Sequence, residues 1–304
     1  MADQLADFIV FARIAESGSL TAAAASLNLS LAAVSRRLMR LEERLGVRLI
    51  NRTTRTLSLT DEGAAFHLRA TRILEDIAEA EAEVSRGQNT AVGLLRVTTT
   101  FAFGRRRLAS LVHAFEREHP GVRVHLDASD RVVDLVNEGF DVAVRFGPLA
   151  DSSLIARPVA ANDYVLCASP DYLDRRGRPT SLEELASHDA VLFGAPPPDV
   201  WTFADGRQVR MRGDLTTNDG DLAHVWALEG AGVIMKAVWD VAGDIQRGDL
   251  EIVLPKVPLP DAPIHAVYPH NRLAAAKTRL FVAFLARTLR GHWERDIAPI
   301  LPIR

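Results

Sequence analysis

The chain has 304 residues, 48% hydrophobic and 25% charged, with a formal net charge of -3. That length predicts two or three domains with a sizeable core, and the composition excludes a collagen, a disordered chain or a disulfide framework. The one cysteine, Cys167, fits a reducing compartment; with no signal-type N-terminus and no run of 18 uncharged apolar residues, a cytoplasmic chain without a membrane partner is expected.

The charge is unevenly spread. Residues 1–60 hold eight Arg against five Asp and Glu, and residues 28–58 hold seven Arg against Glu42 and Glu43. The remainder carries 28 basic and 34 acidic residues. A basic head on an acidic body suggests that the head meets a polyanion.

Leu5, Phe8, Ile9 and Ala12 follow the helical i, i+3, i+4, i+7 spacing, and Gly18 breaks the pattern. Ser19 can cap a second, alanine-rich helix over 20–27, whose small side chains permit close packing. Asn28 and Leu29 make a turn. Ser30 can cap a third helix to about Leu45, with Gly46 as its stop. Its apolar seam is Val34, Leu38, Leu41 and Leu45. Arg36, Arg40 and Arg44 form an i, i+4, i+8 row, with Ser35 and Arg37 beside them. Residues 48–60 then read as two short strands around a basic tip at Arg52–Arg55. The order is a winged helix-turn-helix, spanning 1–60. Such a unit places the N-terminal half of its third helix in the major groove of double-stranded DNA. The candidate DNA contacts are Ser30, Ala32, Ala33, Ser35, Arg36, Arg37 and Arg40 on that helix, and Arg52, Thr54 and Arg55 on the wing.

Three runs carry a family resemblance: Phe11 to Ala24, Val34 to Leu49, and Asn51-Arg52-Thr53 with Leu59-Thr60-Asp61-Glu62-Gly63. Together they resemble the LysR-type transcriptional regulators, and the order of parts fits over the full length. One departure is Leu31-Ala32 at the opening of the third helix, where the family often has Gln-Pro or Gln-Ser. The operator sequence therefore does not carry over from relatives.

Thr60 can cap a helix with Asp61 and Glu62 in its first turn, running to about Arg86 and ending near Gly87. Phe66, Ala70, Ile73, Ile77, Ala80 and Val84 alternate spacings of four and three, the 3.5-residue repeat of a coiled-coil seam. This linker helix, 61–87, is expected to pair two chains, as the resemblance also implies. A hinge at 88–93 follows.

The body, 94–304, reads as α/β. Strands at Leu94–Thr98, Val122–Leu126 and Phe140–Phe146, with helices after the first and over Arg131–Glu138, imply a parallel sheet with helices on its faces. A second group starts near Asn162. It has strands at Tyr164–Ala168, within Arg207–Asn218 and at Val233–Met235, and a helix over Asp219–Glu229. Ala262–Tyr268 leads back to a last helix over Leu273–Arg290. The resemblance implies a two-lobed, periplasmic-binding-protein-like effector domain, with lobe I at 94–161 and 268–304 and lobe II at 162–267. Its crossings are expected near Ala161–Asp163 and Ala266–Tyr268.

Ligands of such sheets sit beyond the carboxyl ends of the strands. Thr98, Thr99, Thr100 and Phe101 end the first strand, Ser129 the second, Arg145 and Phe146 the third, and Asn218 a second-lobe strand before a helix N-terminus. With Gly232, these are the candidate effector residues. Hydroxyls, an amide, an arginine and a helix end suit a small organic acid. Each also has a structural reading: strand-end hydroxyls and Asn218 as helix caps, and Arg145 as a partner of Asp141. Phe101, Phe103, Phe146 and Trp201 are cleft candidates, with core packing expected for at least two.

No Gly-x-Ser-x-Gly, P-loop or metal motif is present, and Cys167 reads as a buried thiol. Neither cofactor nor metal is expected. The reading is a ligand-responsive, non-enzymatic transcription factor, a homodimer assembling to a homotetramer, with RNA polymerase as a further partner. The rivals are a carboxylate-handling enzyme with an accessory DNA-binding domain, and a solute-binding protein. The second would need a signal peptide and no basic head.

Overall fold

The computed structural model describes residues 2–52, 57–86, 91–147, 154–270 and 275–301. It contains two compact units: Met1–Gly93 with Asn137–Gly139, and Leu94–Val136 with Phe140–Arg304.

The head opens with helices α1 (Ala2–Ser17), α2 (Leu20–Ser26) and α3 (Leu31–Leu45), then strands β1 (Ile50–Arg52) and β2 (Leu57–Leu59), and the long helix α4 (Asp61–Arg86). Three expected caps are formed by their own side chains. Ser19 accepts from the Ala22 amide, Ser30 from the Ala33 amide and Thr60 from the Gly63 amide. Gly46 closes α3 in the left-handed conformation, φ +71°. β1 and β2 pair antiparallel, Ile50 opposite Leu59, as a wing. The core joins Val10, Phe11 and Ile14 of α1 to Ala23, Ala24, Val34, Leu38 and Leu41, with Leu49 and Ile50 beneath.

Two seam assignments are corrected by this core. Ile9 is 40% exposed and Leu45 39% exposed. The run Phe8-Ile9-Val10-Phe11-Ala12 fits several helical registers, and packing selects Val10, Phe11 and Ile14. In α4, Phe66 lies 5.3 Å from Phe8 and 5.4 Å from Phe11, ring to ring, and Ala70 is buried. The start of the heptad seam thus closes the head's own core. Ile73 and Ala80 are exposed and Ile77 half-buried. The side chain of Val84 lies outside the described residues, as do Gly87 and the first part of the hinge, 88–90.

The second unit begins with β3 (Gly93–Thr99). Helix α5 spans 101–118 as two α-helical pieces, Phe101–Phe103 and Ala109–Glu118, joined by a π-helical turn, Gly104–Leu108. β4 (Val122–Ala128), the short α6 (Leu135–Glu138, of which residues 137 and 138 group with the first unit), β5 (Val142–Phe146), β6 (Leu154–Ala160) and β7 (Tyr164–Ala168) follow. Next come α7 (Pro170–Arg176), α8 (Leu182–Leu185), β8 (Asp189–Phe193), β9 (Val200–Thr202), β10 (Gln208–Arg210) and β11 (Arg212–Thr217). The remainder is α9 (Gly220–Leu228), β12 (Ile234–Ala237), α10 (Val238–Arg247), β13 (Glu251–Val253), β14 (Ile264–Pro269) and α11 (Ala276–His292).

The first lobe is a five-stranded sheet in the order β4-β3-β5-β14-β6. β3 and β5 are parallel, whereas β14 runs antiparallel to both β5 and β6, so the sheet is mixed rather than parallel. Ile264 to Val267 pair with β5, which puts the return crossing before Ile264 rather than at Ala266–Tyr268. Residues 264–267 therefore belong to the first lobe. Phe115 of α5 packs on Phe281 and Phe284 of α11, ring centroids 5.0 and 5.5 Å apart, to cover this sheet. The expected helix over Arg131–Glu138 is only α6. Asp134 accepts the Val136 amide at 3.1 Å, which starts the helix late. The second lobe holds the antiparallel sheet β12-β7-β13 and the parallel pair β11-β8, around Tyr172, Leu173, Trp201, Phe203 and Val233.

Candidate functional site

On α3, Val34, Leu38 and Leu41 are buried. Ala32, Arg36 and Arg40, spaced by four, lie on the opposite side and are exposed. Ser35 and Ala33 are half-buried, and the Ala33 amide donates to the Ser30 side chain at 3.2 Å. Ser30 itself is exposed at the helix start. Arg37 goes elsewhere: its guanidinium lies 3.0 Å from the buried carboxylate of Asp7 on α1. It clamps two helices, and the expectation that it contacts DNA loses its geometric support. Arg44 lies over the Phe8 ring, 5.9 Å from the centroid. Thr54 and Arg55, and the side chain of Arg52, lie outside the described residues.

Glu42 is buried at the far end of α3 and accepts the amides of Leu49 at 2.9 Å and Ile50 at 3.2 Å. Those amides belong to the approach to the wing, so one carboxylate fixes the wing base to the third helix. The sequence shows Glu42 only as an acidic residue in a basic stretch. At the next joint, the Thr60 hydroxyl donates to the Arg48 carbonyl and the Thr60 amide to the Leu49 carbonyl. A Cβ on Gly63 would sit 1.9 Å from the Leu49 oxygen, so this close approach admits only glycine. Basic side chains on a rigid helix face beside a two-stranded wing can neutralise phosphates and reach base edges.

In the second unit the strand-end residues do meet where the two lobes adjoin. Arg145 donates to the Thr98 hydroxyl and to the Ser129 carbonyl, both at 3.3 Å. Burial lowers its pKa, opposed by Asp130 and Asp127. The alternative pairing with Asp141 is not made; the Asp141 carboxylate accepts the Arg96 amide. Thr98 and Thr99 are fully buried. The Thr99 hydroxyl donates to the Val144 carbonyl at 3.1 Å, so it tightens the sheet instead of facing a cleft. The Ser129 hydroxyl accepts the Arg131 amide at 3.4 Å. Thr100 is half-buried and Asn218 exposed, at the starts of α5 and α9. Phe146 packs edge-on against buried Phe103, and Trp201 is buried in the second-lobe core, while Phe101 carries Arg105 5.3 Å above its ring. Gly232 is accounted for by packing. A Cβ there would lie 2.4 Å from the Asp189 oxygen of β8.

The residue that sequence reasoning missed is Asp130. One of its carboxylate oxygens accepts the Phe101 amide at 2.9 Å, the other the Gly220 amide at 3.1 Å. It caps α5 of the first lobe and α9 of the second together. The adjacent α9 amides, of Asp221 and Leu222, donate to Asp219. The anion site expected at this helix end is thus filled by the protein's own carboxylates. Asp221 in turn lies 3.0 Å from Arg105 and 3.4 Å from Arg106, both on the π-helical turn of α5. The only sequence signal for Asp130 is its place just after a strand-end serine.

Elsewhere in this unit, Cys167 is fully buried and its thiol pKa is pushed up to about 12 by burial. That makes it an unreactive thiol at neutral pH. A largely apolar cavity of about 430 Å³ is lined by Asp163–Leu166, Ile252–Leu259 and Leu301, none of them a candidate effector residue. Among the described residues no cluster of His, Cys, Asp and Glu could hold a metal, and no helix is long and apolar enough to cross a membrane.

Comparison with known proteins places this architecture. Residues 5–64 match the family model for the bacterial regulatory helix-turn-helix protein of the lysR family, and 88–290 match the LysR substrate binding domain. The chain belongs to the LysR family. It is a LysR-type DNA-binding transcriptional regulator with an effector-binding domain. It is 35% identical over 294 residues to the HTH-type transcriptional regulator DmlR of Escherichia coli, covering 95% of each chain. It is 36% identical over 287 residues to the regulator CrgA of Neisseria meningitidis, covering 93% of this chain and 96% of that one. The solved CrgA structure matches with a TM-score of 0.60 at 35% identity, over 93% of this chain and 98% of that chain. These relatives are named as regulators, not as enzymes.

Proposed function

We propose that this LysR-type regulator reads its operator through Ala32, Ser35, Arg36 and Arg40 of α3, with Ser30 and Ala33 setting the helix start. Arg52, Thr54 and Arg55 grip the flanking backbone or minor groove. The observation that carries this reading is the exposed Ala32–Arg36–Arg40 row on a helix capped by Ser30 and backed by a buried seam. Two chains pair through α4. The 43% exposure of Ile73, with exposed Ala80, supports a seam that starts at Ile73. One helix-turn-helix reads few base pairs, so pairing supplies two half-sites. Body-to-body contacts complete a homotetramer, which acts on chromosomal DNA in the cytoplasm and contacts RNA polymerase.

The effector is a small organic acid held where the lobes adjoin, by Arg145, Thr98, Thr100, Ser129, Asn218 and the helix starts at Phe101 and Gly220. Its carboxylate takes the two amides that Asp130 now holds, and the protein acts by binding, not by turnover. The effector biases two lobe arrangements through its differential affinity for them.

The test is a nuclease footprint of the full-length protein upstream of its own gene at two salt concentrations, followed by a screen of di- and hydroxycarboxylates. A long, phased, salt-sensitive footprint is expected. Absence of protection there and genome-wide would defeat the reading. Arg145→Ala should abolish the effector response; a full response removes Arg145 from the site.

A further inference from the structure

The start of α3 carries an exposed apolar step that the arginine row does not explain. Leu31 is the first residue of the helix and is 49% exposed, and Leu29, just before the Ser30 cap, is 38% exposed. Ala32 beside them is exposed as well. None of these three is among the buried residues of the head's core, which is built from Val34, Leu38 and Leu41 on this helix. Leu31 is one turn before Ser35, and Ala32 one turn before Arg36, so the apolar step continues directly into the polar face. Among the described residues of the head Leu31 is the most exposed large apolar side chain, and it adds nothing to the capping bond, which is made by Ser30 and the Ala33 amide.

An apolar side chain at the N-terminus of a helix that enters the major groove has one complementary feature to meet. Each base pair offers hydrogen-bonding groups there, and thymine alone adds a methyl group. Leu31 has neither donor nor acceptor, so it cannot read guanine, adenine or cytosine by hydrogen bonds. It can bury a 5-methyl group. We infer that Leu31 is a specificity-determining residue that reads a thymine methyl in each operator half-site, next to bases and phosphates met by Ser35 and Arg36. This rests on the assignment of α3 as the recognition helix and goes beyond it by naming the base feature.

The experiment uses the full-length protein and duplexes that it enriches from a randomised pool. Each thymine of an enriched duplex is replaced in turn by deoxyuridine, which keeps every hydrogen-bonding group and removes only the methyl. Affinity is read by fluorescence anisotropy at fixed salt. Losing about one buried carbon's worth of apolar contact predicts a roughly fourfold loss at one thymine per half-site. Leu31→Ala should bind the thymine duplex several-fold more weakly, be indifferent to deoxyuridine at that position, and keep the same salt slope. The half-exposed position tolerates the substitution, and an unchanged thermal melt would verify that. An enriched duplex with no sensitivity to deoxyuridine overturns the inference while leaving DNA reading by α3 intact. A deoxyuridine penalty that survives in Leu31→Ala also overturns it. Failure to enrich any duplex overturns both the inference and the recognition-helix assignment beneath it.

Discussion

In the head, Arg36 and Arg40 stand exposed on one face of a capped helix, whereas in the regulatory unit Arg145 is half-buried and already bonded to Thr98 and Ser129. The same contrast holds for carboxylates. Glu42 is sealed beneath the wing and only positions it. Asp130 sits at the junction of two lobes and satisfies an amide from each. A surface that meets a polyanion must keep its cations free and hold their backbone rigid, and short-range capping achieves that. A cleft that changes state must instead satisfy its polar groups in the absence of a ligand, because unpaired buried groups are costly. The two units therefore respond to mutation through different variables: affinity for DNA in one, lobe geometry in the other.

The largest effect should come from the joint beneath the wing. Gly63→Ala forces a Cβ onto the Leu49 carbonyl and should destabilise the head by at least about 3 kcal/mol. Differential scanning calorimetry should show the head's transition falling while that of the regulatory unit stays put. A shared shift would mean that the two units unfold together.

Arg36→Ala comes next. It should cost about 1–3 kcal/mol of operator binding, with a shallower salt slope if the lost contact is a phosphate. Titration of labelled operator at several salt concentrations separates the two contributions. Unchanged affinity would contradict the placement of α3 on DNA, and the contrast with Arg145 would lose its basis.

Asp130→Asn sharpens the other side. The substitution turns one of the two acceptor oxygens into an NH2 donor, so in this geometry one of the two backbone N–H groups loses its partner, at about 1–2 kcal/mol. Hydrogen exchange at the Phe101 and Gly220 amides should accelerate about tenfold. If both remain as protected as before, Asp130 does not hold the lobes.

The smallest effect is on pH. His224 is fully buried, and its pKa is lowered, first by burial and then by Arg106, against the opposing pull of Asp244. The folded state resists protonation, so the unfolded state binds the proton first as pH falls through the ordinary value of 6.5. Stability should be level above that value and decline below it, by at most about 1.4 kcal/mol per pH unit. His224→Gln should flatten thermal melts between pH 5 and 7 relative to the parent; an identical slope would assign the loss to other groups.

What the sequence determined by itself is the local order. The caps at Ser19, Ser30 and Thr60, the stop at Gly46 and the basic row on α3 all depend on residues within a few positions of one another. Such interactions form whatever the rest of the chain does, and together they made the winged head, and with it the family, legible. Where the sequence offered several registers, tertiary packing decided. It buried Val10 rather than Ile9, spent Phe66 and Ala70 on the head's core, and turned Arg37 toward Asp7. The mixed sheet, with β14 inserted antiparallel between β5 and β6, is a choice of partner strand that periodicity cannot express. The role of Asp130 lies furthest from local reading. Its two partners are 29 and 90 residues away in the chain, so only the folded lobes bring the carboxylate to both helix ends.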